Sequence, residues 1–146
     1  MASTTVLIAD HEQARRVRCR RLLQRDPTIR VVGEARNVPE ALVGMAEWKP
    51  RVLLLDLTLV QANARGLVAR LLRRSPRTRI ILLTHHAAET QILDALSQGA
   101  IGYLPKTALP PYLSKAVPAV DAGEAWVPRT MVASLLARLG RRAVQA

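Results

Sequence analysis

Residues 51–58 read RVLLLDLT: four aliphatic residues, Val52–Leu55, run straight into Asp56. A run this short and this apolar suits a strand buried on both faces, as strands in a parallel sheet are. An ionised carboxylate does not belong in such a core, so Asp56 marks the end of the strand. Outward along the chain the pattern recurs at Val6–Ala9, Ile29–Val32 and Ile80–Leu83, and more weakly at Ile101–Leu104. The stretches between these runs carry helix signals. Asn37 with Glu40 three residues on resembles a capping box ahead of Ala41–Trp48. Gly99 stands where a helix through Ile92, Leu93 and Leu96 would close. Pro110 and Pro111 suit the first turn of a helix from Tyr112 to Val120. Met131, Val132, Leu135, Leu136 and Leu139 recur at helical spacing within a last helix from about Arg129 to Arg142.

Strand and helix thus alternate five times, and one further helix follows. The alternation predicts an α/β fold, a doubly wound five-stranded parallel sheet covered by helices on both faces. Right-handed crossovers leave few topologies, and the flavodoxin-like order 2-1-3-4-5 is the expected one. Gly123 and Pro128 flank the one expected boundary, dividing a sheet domain (1–123) from a C-terminal linker helix (124–146).

Apolar residues make up 49% of the 146, so the chain is globular with an aliphatic core; phenylalanine is absent. The single cysteine, Cys19, can form no internal disulfide, which suits a reducing cytoplasm. No signal peptide is legible at the N-terminus, and nothing approaches the roughly 20 apolar residues of a membrane span. The formal charge is +11, nearly all of the cations being arginine. Such a balance invites nucleic acid. The arginines are spread over Arg15–Arg25, Arg65–Arg79 and Arg129–Arg142, however, with no interleaved aromatics, and solvated helix faces are the simpler expectation.

The polar residues at the strand ends carry the functional content. The first strand ends at Asp10, the third at Asp56 and the fourth at Thr84, and Lys106 follows the fifth. In a doubly wound sheet these ends lie side by side, and ligands bind just outside them. Each residue alone has an ordinary explanation as a turn, cap or surface residue. Together they put two carboxylates, a hydroxyl and an ammonium in one cleft. Close carboxylates repel unless a cation joins them, and oxygen donors suit Mg²⁺. A lysine opposite can neutralise a phosphoryl group. The set suits the formation of an aspartyl phosphate, with a carboxylate as nucleophile. The loop Asp10-His11-Glu12-Gln13 has no glycine, which argues against a dinucleotide site or a P-loop there.

The segments VLIAD (6–10), RVLLLDLT (51–58), RIILLTHH (79–86) and GAIGYLPKT (99–107) resemble the receiver domain of response regulators, from Val6 to about Gly123. The tail DAGEAWVP (121–128) is similar to the subfamily in which a LuxR/FixJ-type helix-turn-helix follows. The resemblance implies a receiver fold with Asp56 as phosphoacceptor and Asp10 in an acidic Mg²⁺ site to which Thr58 lends its backbone carbonyl. It implies Thr84 as switch hydroxyl, Lys106 as phosphate-contacting lysine and Tyr103 as switch aromatic. It further implies a cytoplasmic, non-enzymatic signalling module whose partner is a sensor histidine kinase. A homodimer would form through the fourth helix, fifth strand and fifth helix. DNA would be reached only through a C-terminal domain lying outside these 146 residues.

Several residues depart from the family pattern. His11 stands where a second acidic residue usually helps hold the metal, and imidazole is a poor Mg²⁺ ligand. His85 and His86 follow Thr84, where a small residue is usual. Val60 and Ala64 replace the usual proline and glycine after Asp56, which reads as a two-residue insertion in a loop before the third helix. Pro118 falls inside the fifth helix and is expected to kink or break it. Two functions remain open: a switch phosphorylated on Asp56 with weak Mg²⁺ binding, or a pseudo-receiver acting through protein contacts without phosphorylation.

Overall fold

The aliphatic runs form five parallel strands, β1 (Thr4–Ala9), β2 (Ile29–Ala35), β3 (Val52–Asp56), β4 (Arg79–Thr84) and β5 (Gly102–Pro105). Their spatial order is β2-β1-β3-β4-β5, the expected doubly wound sheet. The computed structural model describes residues 3–62, 66–85 and 88–145. Its α-helices are α1 (Gln13–Gln24), α2 (Val38–Trp48), α3 (Leu57–Ala62), α4 (Leu67–Arg74), α5 (Glu89–Ser97), α6 (Leu109–Asp121) and α7 (Arg129–Gln145). None of them, over the described residues, is long and apolar enough to cross a membrane.

The pleat sorts each strand's residues into two cores. Leu53 and Leu55 of β3 pack with Met45 of α2, Leu71 of α4 and Leu96 of α5. Val52 and Leu54 pack on the other side with Leu23 of α1 and Leu113 and Val117 of α6. Both sides of β3 are therefore dry, and each buried leucine contributes about 1.5–3 kcal/mol. Gly44 lets α2 lie close on the sheet: a Cβ there would sit 2.9 Å from Leu7 Cδ2.

Local signals set most boundaries, with some differences. Asn37 caps α2 by accepting from the Glu40 amide. The Glu40 carboxylate, however, accepts from the Arg36 amide at 2.9 Å, one residue before the cap, so only half of the expected box forms. Gly99, at φ +129°, follows the last turn of α5 as anticipated. Pro110 and Pro111 lie in the first turn of α6, and that helix continues past Pro118 to Asp121 instead of breaking there.

The larger correction follows Asp56. An inserted loop was expected; instead α3 begins at Leu57, and Gly66, at φ +82°, leads into α4. Burial of Leu57 and Leu59 explains this, because it pulls the first turn onto the core. Ala64 of the expected insertion, and His86, lie outside the described residues. The extra helix, α3, shifts the numbering, so the expected fourth and fifth helices are α5 and α6.

The chain after Gly123 stays on the sheet. Trp126 accepts from the Tyr103 amide at 2.8 Å and donates to the Ile101 carbonyl at 3.0 Å, extending the free edge of β5. Helix α7 then packs on α5, with Met131 buried in the core and Arg138 ion-paired to Asp94.

Candidate functional site

Strand register brings four distant sequence positions to one edge of the sheet. Ala9 of β1 pairs with Leu55 of β3, so the next residues, Asp10 and Asp56, emerge side by side. Asp56 pairs with Leu83, and Thr84 with Pro105, which sets Thr84 and Lys106 at the same edge. Asp10, Asp56, Thr84 and Lys106 are all buried, though all four are polar.

The Lys106 ammonium donates to Asp56 Oδ1 at 2.8 Å and lies 3.8 Å from Asp10 Oδ2. The Thr58 amide donates to the same Asp56 oxygen at 3.1 Å. His11 Nδ1 lies 2.7 Å from Asp56 Oδ2. A carboxylate only accepts, so this imidazole nitrogen carries the proton. Burial pushes the Asp56 carboxyl up, but the hydrogen bonds from Lys106, His11 and the Thr58 amide outweigh it and hold the group at about 2. Asp56 is therefore an anion at neutral pH, with Oδ1 fixed and Oδ2 covered by the half-exposed His11.

Asp10 is held from the other side. Its Oδ1 accepts from the Glu12 amide at 2.9 Å, and its Oδ2 accepts from Arg15 Nε at 3.0 Å. Arg15 also pairs with Glu12 at 2.9 Å. Burial works against the Arg15 charge, yet the hydrogen bond and attraction of Asp10 raise its pKa above the usual arginine value. Arg16, itself buried, donates to the Asp10 carbonyl at 2.7 Å and to Glu34 at 3.1 Å, bracing the loop against β2. The expectation that the α1 arginines are merely solvated is thus wrong for Arg15, Arg16 and Arg20; the last also grips Glu34. Each has a carboxylate within reach, from strand ends that the sequence does not show to be adjacent.

Arg15 is the residue that sequence reasoning missed. A signal existed: the first turn of α1 holds no acidic residue. A cation near a helix N-terminus is disfavoured by the helix dipole and implies a nearby anion. Thr58 meets Asp56 through its backbone amide. Tyr103 is half-buried on β5 and packs against the core, and His85 is exposed just past Thr84.

The ligand atoms of Asp10, His11 and Asp56 lie within 4.8 Å of one another, a group that could hold a metal ion. Its two carboxylates fit Mg²⁺, which prefers oxygen; its imidazole does not. Two formal negative charges, from Asp10 and Asp56, already face the cations of Lys106 and Arg15.

A doubly wound sheet with an anionic aspartate at its central strand end, paired to a buried lysine, defines a receiver-type signalling module. The family comparison agrees: residues 6–118 match the response regulator receiver domain, and the chain belongs to that family. The DNA-binding transcriptional activator DevR/DosR of Mycobacterium tuberculosis is 38% identical over 133 residues, covering 91% of this chain and 61% of that protein. The nitrate/nitrite response regulator NarL of Escherichia coli is 31% identical over 135 residues, covering 92% and 62%. The chain therefore spans about six tenths of the length of these transcriptional relatives. A protein-glutamate methylesterase of Pseudomonas putida is 37% identical over 103 residues, but the match covers only 28% of that protein. Among solved structures, a LuxR-family two-component response regulator from Aurantimonas superposes with a TM-score of 0.80 at 26% identity, covering 94% of this chain and 98% of that one.

Proposed function

We propose that Asp56 accepts a phosphoryl group from the phosphohistidine of a sensor histidine kinase and thereby switches a transcriptional output. The observation that carries this is the buried Asp56–Lys106 pair, 2.8 Å apart. Burying two charges is costly, and a pair kept at a strand end in an aliphatic sheet points to a functional need. In the transfer, Asp56 Oδ2 attacks phosphorus and the P–N bond to the kinase imidazole breaks. The leaving nitrogen keeps the electron pair. His11 must first swing off Oδ2, and its exposure leaves room for that. Lys106 then offsets phosphoryl charge. Asp10 and Asp56 are the residues that would hold Mg²⁺, which when bound neutralises charge on the phosphoryl oxygens. Occupancy is weak because Arg15 and His11 compete for the same carboxylates.

The phosphorylated state would draw Thr84 inward, repack Tyr103 and favour a dimer through α5, β5 and α6, a population shift biased by local charge. Residues 1–123 act as the receiver and 124–146 as a linker, DNA being contacted by a further C-terminal domain, all in the cytoplasm. A second function, the pseudo-receiver, is favoured by one observation: every carboxylate oxygen of Asp10 and Asp56 already has a protein partner.

Acetyl phosphate with Mg²⁺, followed by intact mass, separates the two. One added phosphoryl group on wild type and none on Asp56→Asn is expected. Equal labelling of both removes Asp56 as acceptor, and no labelling of either makes the domain a pseudo-receiver.

A further inference from the structure

The opposite end of the sheet, remote from Asp56, carries a cleft of about 1040 Å³. It lies among the loops that enter β3, β4 and β5 and the end of α6. Its walls are tied together. The buried Thr78 hydroxyl donates to the Pro50 carbonyl at 2.5 Å and shares a 2.6 Å hydrogen bond with the buried Ser75 hydroxyl. The Arg79 amide donates to the Arg51 carbonyl at 2.9 Å.

Charge in this cleft is one-sided. Lys49, Arg51, Arg77 and Arg79 line it against a single acid, Asp121. Asp121 is already committed, accepting from Arg51 Nε at 2.7 Å and from the Thr4 hydroxyl at 2.6 Å. Lys49, Arg77 and Arg79 have no carboxylate partner among the described residues. Three exposed cations around one concavity give it a positive potential that draws anions. The wall between them is apolar, built in part from the half-buried Leu72 and Ile101. Pockets that hold small organic ligands are of this size and of this mixed kind.

We propose that this cleft binds an organic polyphosphate, a nucleoside di- or triphosphate, with its phosphates on Lys49, Arg77 and Arg79 and its ring system on the Leu72–Ile101 wall. Recognition is by side-chain cations on rigid loops and requires no glycine-rich phosphate loop. The ligand enters at the amino ends of the strands and leaves the carboxyl-end pocket around Asp56 free.

Calorimetric titration of the full chain with ATP, in EDTA and at about 150 mM salt to screen long-range attraction, tests the site. Wild type is expected to bind ATP more tightly than it binds pyrophosphate or adenosine. Arg77→Ala, in an exposed loop, and Arg79→Ala should each weaken ATP at least about fivefold, the loss of one charge-assisted contact. Arg18→Ala and Arg21→Ala remove the same charge from exposed positions on α1 and should change affinity less than about twofold. Equal weakening by cleft and α1 variants overturns the site in favour of net-charge attraction, as does an absence of ATP binding. Pyrophosphate binding as tight as ATP overturns the contact of the ring with the wall.

Discussion

Asp56 is an anion because three donors surround it, and that has a consequence for acid stability. Its folded-state pKa is depressed to about 2, so the stabilisation it brings is complete above the ordinary aspartate range near pH 4 and is lost as pH falls through 2. The loss should be on the order of 2 kcal/mol for so buried a group. Denaturant melts between pH 5 and about 2 should show a smaller acid-side loss for Asp56→Asn than for wild type; parallel curves would mean that the carboxyl is not held by these donors. Arg15 invites a second measurement. Its contact with Asp10 places a protein cation beside the carboxylates that would hold a metal. Arg15→Met keeps the aliphatic stem and removes the charge, so Mn²⁺ affinity, read as free metal by electron paramagnetic resonance, should rise at least about tenfold. His11→Asp, which adds a hard oxygen, should tighten Mn²⁺ as well and increase the thermal shift on adding Mg²⁺. If both variants bind Mn²⁺ as wild type does, neither residue competes at that site.

The elements divide into those set by their own residues and those set by a neighbour. Strand β3 belongs to the first kind; any other placement would expose Val52–Leu55. Helix α7 belongs to the second. Its apolar positions form two rows, and α5 selects one: Met131 is buried and Leu135 is packed on the core, while Val132, Leu136 and Leu139 remain exposed. Met131→Asp places a charge against that core and should release α7. Hydrogen exchange over 129–145 should then speed up strongly, with no such change for Leu136→Asp, whose position is 62% exposed. Equal exchange in the two variants would mean that α7 is not held by this contact.

For the whole molecule, docking of α7 on α5 matters because α5 belongs to the proposed dimer face. In the structure described, that face is partly covered by the chain's own C-terminal helix. The proposed dimer would therefore need α7 to move, with phosphorylation of Asp56 as the proposed source of the bias. Sedimentation velocity at high concentration should show mainly monomer for the untreated protein, with a larger sedimentation coefficient after acetyl phosphate and Mg²⁺. Met131→Asp should associate without the phosphodonor. A Met131→Asp protein that stays monomeric at every concentration would remove the α5 face as the dimer surface.

The sequence by itself determined the sheet and the edge at which its polar strand-end residues gather. Aliphatic runs buried on both faces admit little but a parallel sheet, and polar residues that end four of the five runs must emerge at the same edge, so Asp10, Asp56, Thr84 and Lys106 were legible in the sequence. Tertiary structure alone decided what surrounds them. Arg15 meets Asp10, and His11 meets Asp56, through side chains reaching across from a neighbouring loop and helix, and periodicity carries no record of such reach. The same holds for α3, where burial of Leu57 and Leu59 outweighed loop-like spacing, and for Trp126 on the edge of β5. Local pattern reports which face of an element is apolar; only packing reports which neighbour it meets.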